Sequence, residues 1–412
     1  MPLNQRANAS CAFNSPLSVC GVRRTAAENP AVHLPFSGVE PAARRWKSLW
    51  VHMALAAALL SGGSGFCGAC AAGRQPQSAH AASHTACPGF ALLGVNLAGA
   101  EFNPTQVPGK AGQDFTYPSA AEIAYFAAQG LNLIRLPLLW ERLQHREFGP
   151  LDPAAMRSVQ TVIREAAGHG MTVDLDLHNY GSGFGHPVGS RATPDRAFAD
   201  LWRRVARRFR SDSNVMFGLM NEPHVQTAAE WVAAANAAIA AIRTAGAKQE
   251  ILVSGIDWDG AWHWISSGTA AAMQAGLRPE GNVVFEVHQY LDSDGSGTHW
   301  NVVSPSIGVQ RLRTVTQWAE RNGEKLFLGE FGSAADAPSL TALDNMLGYM
   351  CAHTTAWQGG AYWSGGAWWH TYPFSIEPEG GRSRPQMRIL ARYAPGTLQT
   401  ARKRDAAEQK EK

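Results

Sequence analysis

From Phe90 to Ala394 short apolar runs alternate with longer stretches of helical periodicity, and no other feature restricts the fold as tightly. Eight runs read as strands: Ala91–Leu97, Leu131–Leu136, Met171–Leu177, Asn214–Met220, Glu250–Gly255, Asn282–Val287, Leu326–Glu330 and Gly360–Trp363. Runs that are apolar throughout suit strands covered on both faces, as in a parallel sheet. Between them lie helical stretches at Ala120–Gln129, from Asp152-Pro153 to near Gly168, and at Pro194–Arg210, Ala228–Gly246, Val309–Asn322 and Leu340–Cys351. Pro153 takes the first-turn position that tolerates a missing N–H. Eight such repeats over about 300 residues favour a closed (β/α)8 barrel, α/β in class, over an open doubly wound sheet. The first strand is followed by no Gly-x-Gly-x-x-Gly turn or phosphate loop, which counts against a nucleotide fold.

Residues 1–85 differ in kind. Arg44-Arg45-Trp46-Lys47 precedes an apolar core, Val51 to Leu60, and then small residues that include Ala69-Cys70-Ala71. A basic flank, a short apolar core and a small-residue cleavage site describe a secretory signal, here embedded near 44–71. The core is shorter than the roughly 20 residues of a spanning helix, so no stable membrane span is expected. Arg44-Arg45 loosely matches a twin-arginine route; the alternative is an N-terminal extension on a cytoplasmic protein. The expected organisation is a leader over 1–85, one catalytic domain over 86–395 and a charged tail over 396–412.

The formal charge of +3 reflects that leader, which holds 7 of the 36 Lys/Arg and 2 of the 33 Asp/Glu. The remainder is slightly acidic, with no basic block suggesting nucleic acid. A neutral polymer is the better ligand. Four of the six cysteines (Cys11, Cys20, Cys67, Cys70) lie in the leader, and Cys67-Gly-Ala-Cys70 lacks the second pair a zinc site needs. Cys87 precedes the first strand and Cys351 precedes the eighth. Those strands are neighbours in a closed barrel, so a disulfide could staple the closure in an oxidising compartment; two buried thiols are the alternative.

In such a barrel the residues at the C-terminal strand ends face the active site. They are Arg135 after strand two, His178-Asn179-Tyr180 after three, Asn221-Glu222 after four, His288 and Tyr290 after six, Glu330 after seven and Trp363 after eight. Taken singly, Glu222 could cap a helix that starts at Pro223, Arg135 could be a structural ion-pair partner, and either histidine could be structural. Their convergence on one rim points to chemistry, since burying two carboxylates without purpose is costly. Of 14 tryptophans, seven (Trp258, Trp262, Trp264, Trp300, Trp363, Trp368, Trp369) fall near the ends of strands five, six and eight. Trp202, Trp231 and Trp318 read as core. A flat apolar ring suits the C–H face of a pyranose, and several in one cleft suggest a chain of sugars.

Residues 90–394 resemble bacterial endoglucanases (cellulases) of glycoside hydrolase family 5, a retaining (β/α)8 family. The resemblance rests on Arg135 in Ile-Arg-Leu-Pro, His178 in Leu-His-Asn-Tyr, Asn221-Glu222 in Met-Asn-Glu-Pro-His, His288 and Tyr290 in Val-His-Gln-Tyr-Leu-Asp, Glu330 in Gly-Glu-Phe-Gly, and Trp363 in Tyr-Trp-Ser-Gly-Gly. Gly94–Gly99 and Tyr290–His299 further resemble the β-1,4-glucan-cutting subfamily. It implies Glu222 as general acid/base and Glu330 as nucleophile, with Arg135 and Tyr290 holding Glu330 and His288 tuning Glu222. Asn221 would hold the sugar 2-hydroxyl, Trp363 would floor the site and His178 would touch the same sugar. Asn179, Tyr180, Trp258, Trp368 and Trp369 complete the expected cleft. No metal and no cofactor is implied, and a secreted monomer acting on β-glucan is expected. A β-mannanase, a mixed-linkage glucanase or a non-catalytic glycan binder are the alternatives. The N-terminal region matches nothing in that family.

Overall fold

The structure, a computed structural model, describes residues 90–395. The expected leader, its signal-like segment, Cys87 and the tail from 396 lie outside the described residues.

Eight parallel strands close into one barrel: β1 (Leu92–Leu97), β2 (Leu133–Leu138), β3 (Thr172–Leu177), β4 (Val215–Gly218), β5 (Ile251–Ser254), β6 (Val283–His288), β7 (Leu326–Phe331) and β8 (Trp357–Gly365). Each pairs with its neighbours in sequence, and β8 closes on β1 through Leu92 opposite Gly359 and Val95 opposite Tyr362. Eight helices cover the outside: α1 (Ala120–Ala128), α2 (Pro153–Gly168), α3 (Asp195–Phe209), α4 (Ala228–Thr244), α5 (Thr269–Gly276), α6 (Ile307–Asn322), α7 (Ala337–Ala352) and α8 (Pro385–Tyr393). Among the described residues no helix is long and apolar enough to cross a membrane.

The helix starts are written in local chemistry. Ser119 and Glu122 form a capping box at α1, and Thr227 and Glu230 form another at α4. Asp152 caps α2 ahead of Pro153, as the Asp-Pro pair predicts. Since α4 begins only after Thr227, Glu222 caps no helix, and that reading of it falls away.

Alternation along the strands separates two cores. Outward residues (Ile134, Leu136, Val173, Leu175, Phe217, Val253, Leu328) pack under the helices. Inward residues at the strand starts (Leu133, Met216, Leu252, Val284, Phe327, Ala361) form a separate apolar plug at the N-terminal end of the barrel. Above that plug the interior turns polar.

Three expectations need correction. β2 runs from Leu133 to Leu138 rather than from Leu131 to Leu136, so Arg135 sits well inside the strand and points into the barrel. Leu131 is buried before the strand begins, and the Asn132 side chain ends the turn by accepting from Leu93 N and donating to Ala91 O. Second, Trp264 is not a cleft residue: it is fully buried against Phe285 and Trp318. A tryptophan in a βα loop can turn inward as readily as outward, which its position alone does not reveal. Third, helical periodicity missed α5 and α8, short helices of eight and nine residues. Cys351, partly buried near the end of α7, is disulfide-bonded.

Candidate active site

Strand geometry delivers the two glutamates differently. Along β7, Phe327 and Gly329 face inward, so simple alternation would turn Glu330 outward. The pairing with β6 instead shifts between Val287 and His288: Val287 lies opposite Leu328, but His288 lies opposite Glu330. This bulge skips Gly329 and swings Glu330 into the cleft. Glu222 follows β4 in a left-handed backbone conformation (φ 44°), uncommon for a residue with a side chain and a feature of functional sites. Its side chain remains 16% exposed, against 6% for Glu330.

The two carboxylates meet. Oxygens of Glu222 and Glu330 and a ring nitrogen of His288 all lie within 4.8 Å of one another. Arg135 Nη1 donates to Glu330 Oε1 at 3.0 Å, and Tyr290 Oη donates to Glu330 Oε2 at 2.7 Å. His288 Nδ1 is 2.8 Å from Glu222 Oε1 and 3.7 Å from Glu330 Oε2. Arg135 Nη2 donates to Asn221 Oδ1 at 2.9 Å, which orients that amide. The Asn221 Nδ2 group is buried with no partner among the described residues, a donor left for a ligand.

A buried charge network supports this rim. Arg135, fully buried, meets Asp176 at 3.0 Å, Glu286 at 2.9 Å and Asp174 at 3.7 Å besides Glu330. Burial opposes its charge, but these carboxylates hold its proton well above the ordinary guanidinium range. Burial likewise opposes charge on His288, yet Glu330, Glu222, Glu286 and Asp259 raise its proton affinity well above the histidine norm. Burial raises the Glu330 carboxyl, with His288 and Arg135 pulling it back. Asp174 and Asp259 are pushed well above the usual carboxylate range, chiefly by burial.

The aromatic residues divide by depth. His178 lies parallel to Trp363, ring centroids 5.5 Å apart, and is held by Asp176 at 2.7 Å. Tyr180 reaches the other ring nitrogen at 3.2 Å. Trp369 leans on Trp363, and Phe102 bridges Trp369 and Trp368. On the opposite side Trp258, 53% exposed, stacks flat on His224 at 4.5 Å. Asn179 spends its side chain on structure: Oδ1 accepts from Trp140 N, and Nδ2 donates to Glu141.

Five residues of the site escaped sequence reading: Asn96, Asp174, Asp176, Asp259 and Glu286, all fully buried. Glu101 is a sixth; Gly99 N–H donates to it, and burial pushes its carboxyl up to about 7 against the pull of His178. The signal was present in β3 and β6. Acids two apart in Thr172-Val-Asp-Leu-Asp-Leu177, and Glu286 two before His288, share the inward face of strands otherwise apolar. Three groups bring possible metal-ligand atoms together: Glu222–His288–Glu330, Asp259–Glu286–His288 and Asp292–Asp294–His299. In the first two, Glu222 and Glu286 already pair with His288, and Glu286 and Glu330 with Arg135.

A (β/α)8 barrel with two facing glutamates at its C-terminal rim, one held by Arg and Tyr and the other by His, between tryptophan walls, defines a glycoside hydrolase of the two-carboxylate type. The model of the cellulases, glycosyl hydrolase family 5, matches residues 95–367, and the chain belongs to that family. Endoglucanase gh5-1 of Neurospora crassa is 37% identical over 294 residues, 71% of this chain and 74% of that protein. Among solved structures, an endo-β-1,4-glucanase of Xanthomonas axonopodis pv. citri superposes with a TM-score of 0.73 at 44% identity, covering 74% of this chain and 99% of the other. The same coverage, identity and score hold for XacCel5A in complex with cellopentaose.

Proposed function

We propose that this glycoside hydrolase cuts internal β-1,4-glucosidic bonds of cellulose or a related β-glucan, retaining the anomeric configuration. The observation that carries the reading is the close approach of Glu222 and Glu330, within 4.8 Å at their nearest oxygens. A retaining enzyme works with carboxyls about 5–5.5 Å apart, too close for a water between one carboxylate and the sugar.

Glu330 is the nucleophile. Arg135 and Tyr290 donate to its two oxygens and favour the anion that attacks the anomeric carbon. Glu222 is the acid/base. It protonates the departing glycosidic oxygen, then as a carboxylate takes a proton from the water that frees the sugar from Glu330. Asn221 Nδ2 donates to the 2-hydroxyl of the reacting sugar, a contact that strengthens in the transition state. His178 and Trp363 form the floor under that sugar. Trp368 and Trp369 line one arm of the cleft, Trp258 the other.

Related endoglucanases support β-1,4-glucan as substrate over mannan. Product release from carboxymethylcellulose but not galactomannan is expected; the reverse would make the enzyme a mannanase, and no reducing ends from any β-glycan would leave a binding protein. We further propose an exported monomer that loses its leader, with Cys87 as the partner of Cys351.

A further inference from the structure

Both proposed catalytic glutamates rest on buried cations, and besides Glu330 those cations share a further carboxylate. Glu286, fully buried on β6, sets Oε1 2.9 Å from Arg135 Nε and 3.5 Å from His288 Nε2. Distances of 3.0, 2.9, 3.5 and 2.8 Å therefore link Glu330, Arg135, Glu286, His288 and Glu222 in sequence. Space for this carboxylate exists only because residue 329 is glycine: a Cβ there would stand 2.0 Å from Glu286 Oε1.

Double displacement moves negative charge across this site. Glu330 starts as the anion and becomes a neutral glycosyl ester, while Glu222 starts as the acid and becomes the anion. His288 lies between them, 3.7 Å from Glu330 Oε2 and 2.8 Å from Glu222 Oε1. The groups facing its ring are Glu222 after β4, Asp259 after β5 at 3.8 Å, Glu286 on its own strand and Glu330 on β7. Two of these change charge in every cycle. Burial pushes the Asp259 carboxyl well above the usual range, whereas at Glu286 burial is outweighed by Arg135 and His288, which together lower it. An imidazolium in a dry site needs a lasting counter-charge.

We infer that Glu286 is a positioning residue, the fixed anion that keeps His288 cationic through both chemical steps, so that the imidazolium stabilises Glu330 first and Glu222 afterwards. The inference rests on the roles proposed above. Arg135 retains Asp176 and Glu330 if Glu286 is neutralised, whereas His288 loses the nearer of the two carboxylates on its Nε2 side, neither of which takes part in the displacement. The loss therefore falls on acid/base catalysis more than on the nucleophile.

Two measurements on the full chain test this. In histidine-selective 15N NMR, with H288N for assignment, His288 of the unmodified protein stays doubly protonated well past the usual histidine midpoint of about 6.5. In Glu286→Gln it loses its proton at least about one pH unit lower. A midpoint near the ordinary value in the unmodified protein overturns the inference without any variant. In kinetics, Glu286→Gln loses roughly tenfold or more in kcat/KM on cellotetraose, whose leaving group needs a proton, and under about threefold on dinitrophenyl cellobioside, whose leaving group does not. Equal losses on both substrates mean a merely structural role. Glu222→Ala separates the two layers: if it too lacks the leaving-group preference, the role assignment fails; if it alone shows the preference, only the role of Glu286 fails.

Discussion

Burial raises the proton affinity of the Glu330 carboxyl while His288 and Arg135 lower it, and the net shift is upward. The sign fixes a consequence for stability. Where the folded pKa exceeds the unfolded one, the folded state binds more protons between the two values, so stability falls as pH rises through that interval. Ionising Glu330 therefore costs folding energy at neutral pH, as strained active sites commonly do. Glu330→Gln should be inactive yet melt a few degrees higher at pH 7, with the gain vanishing below about pH 4, where both forms are neutral. A lower Tm at pH 7 would mean that the cations outweigh burial. At this scale the sequence was informative about chemistry and poor about support. Glu222, Glu330, Arg135 and His288 stood out because polar residues ended apolar runs. Asp259 did not, since nothing in Asp257-Trp-Asp259 distinguishes a buried acid from a loop residue.

At the scale of the element, the bulge on β7 decides whether the site exists. The eight strands were legible because apolar runs are short and evenly spaced, and Asp152-Pro153 announced α2. The bulge was not legible: Gly-Glu-Phe-Gly reads as an ordinary strand end, and only the pairing with β6 shows that Gly329 is skipped. Gly329→Ala should drive a methyl into Glu286, destabilise the fold by about 1–3 kcal/mol and cut kcat at least roughly tenfold through misplacement of Glu330. Chemical denaturation and turnover of cellotetraose check both; an alanine variant with normal activity would show that the bulge tolerates a side chain. Trp264 teaches the complementary lesson, for proximity to a strand end did not make it a cleft residue.

For the whole molecule, closure of the barrel brings β1 beside β8 and so lets residues far apart in sequence meet. The barrel followed from counting repeats, but the polar upper half of its interior did not, because a charged residue within an apolar run is equally compatible with an outward face. Cys351 is disulfide-bonded, and with the proposed partner Cys87 the bond would span that closure. Cys351→Ser should lower stability by about 2–4 kcal/mol under oxidising conditions and have little effect with reductant. Peptide mapping of the unreduced protein should recover Cys351 linked to Cys87; linkage to another cysteine would refute that pairing.

Double displacement depends on a division of labour between the two glutamates. Azide can replace a missing nucleophile and leave the opposite anomer, or take the place of water on the glycosyl ester of an enzyme lacking its acid/base. With dinitrophenyl cellobioside, Glu330→Ala plus azide is expected to yield the α-glycosyl azide, and Glu222→Ala plus azide the β-glycosyl azide. The reverse pairing would contradict the assignment of Glu330 as nucleophile and Glu222 as acid/base.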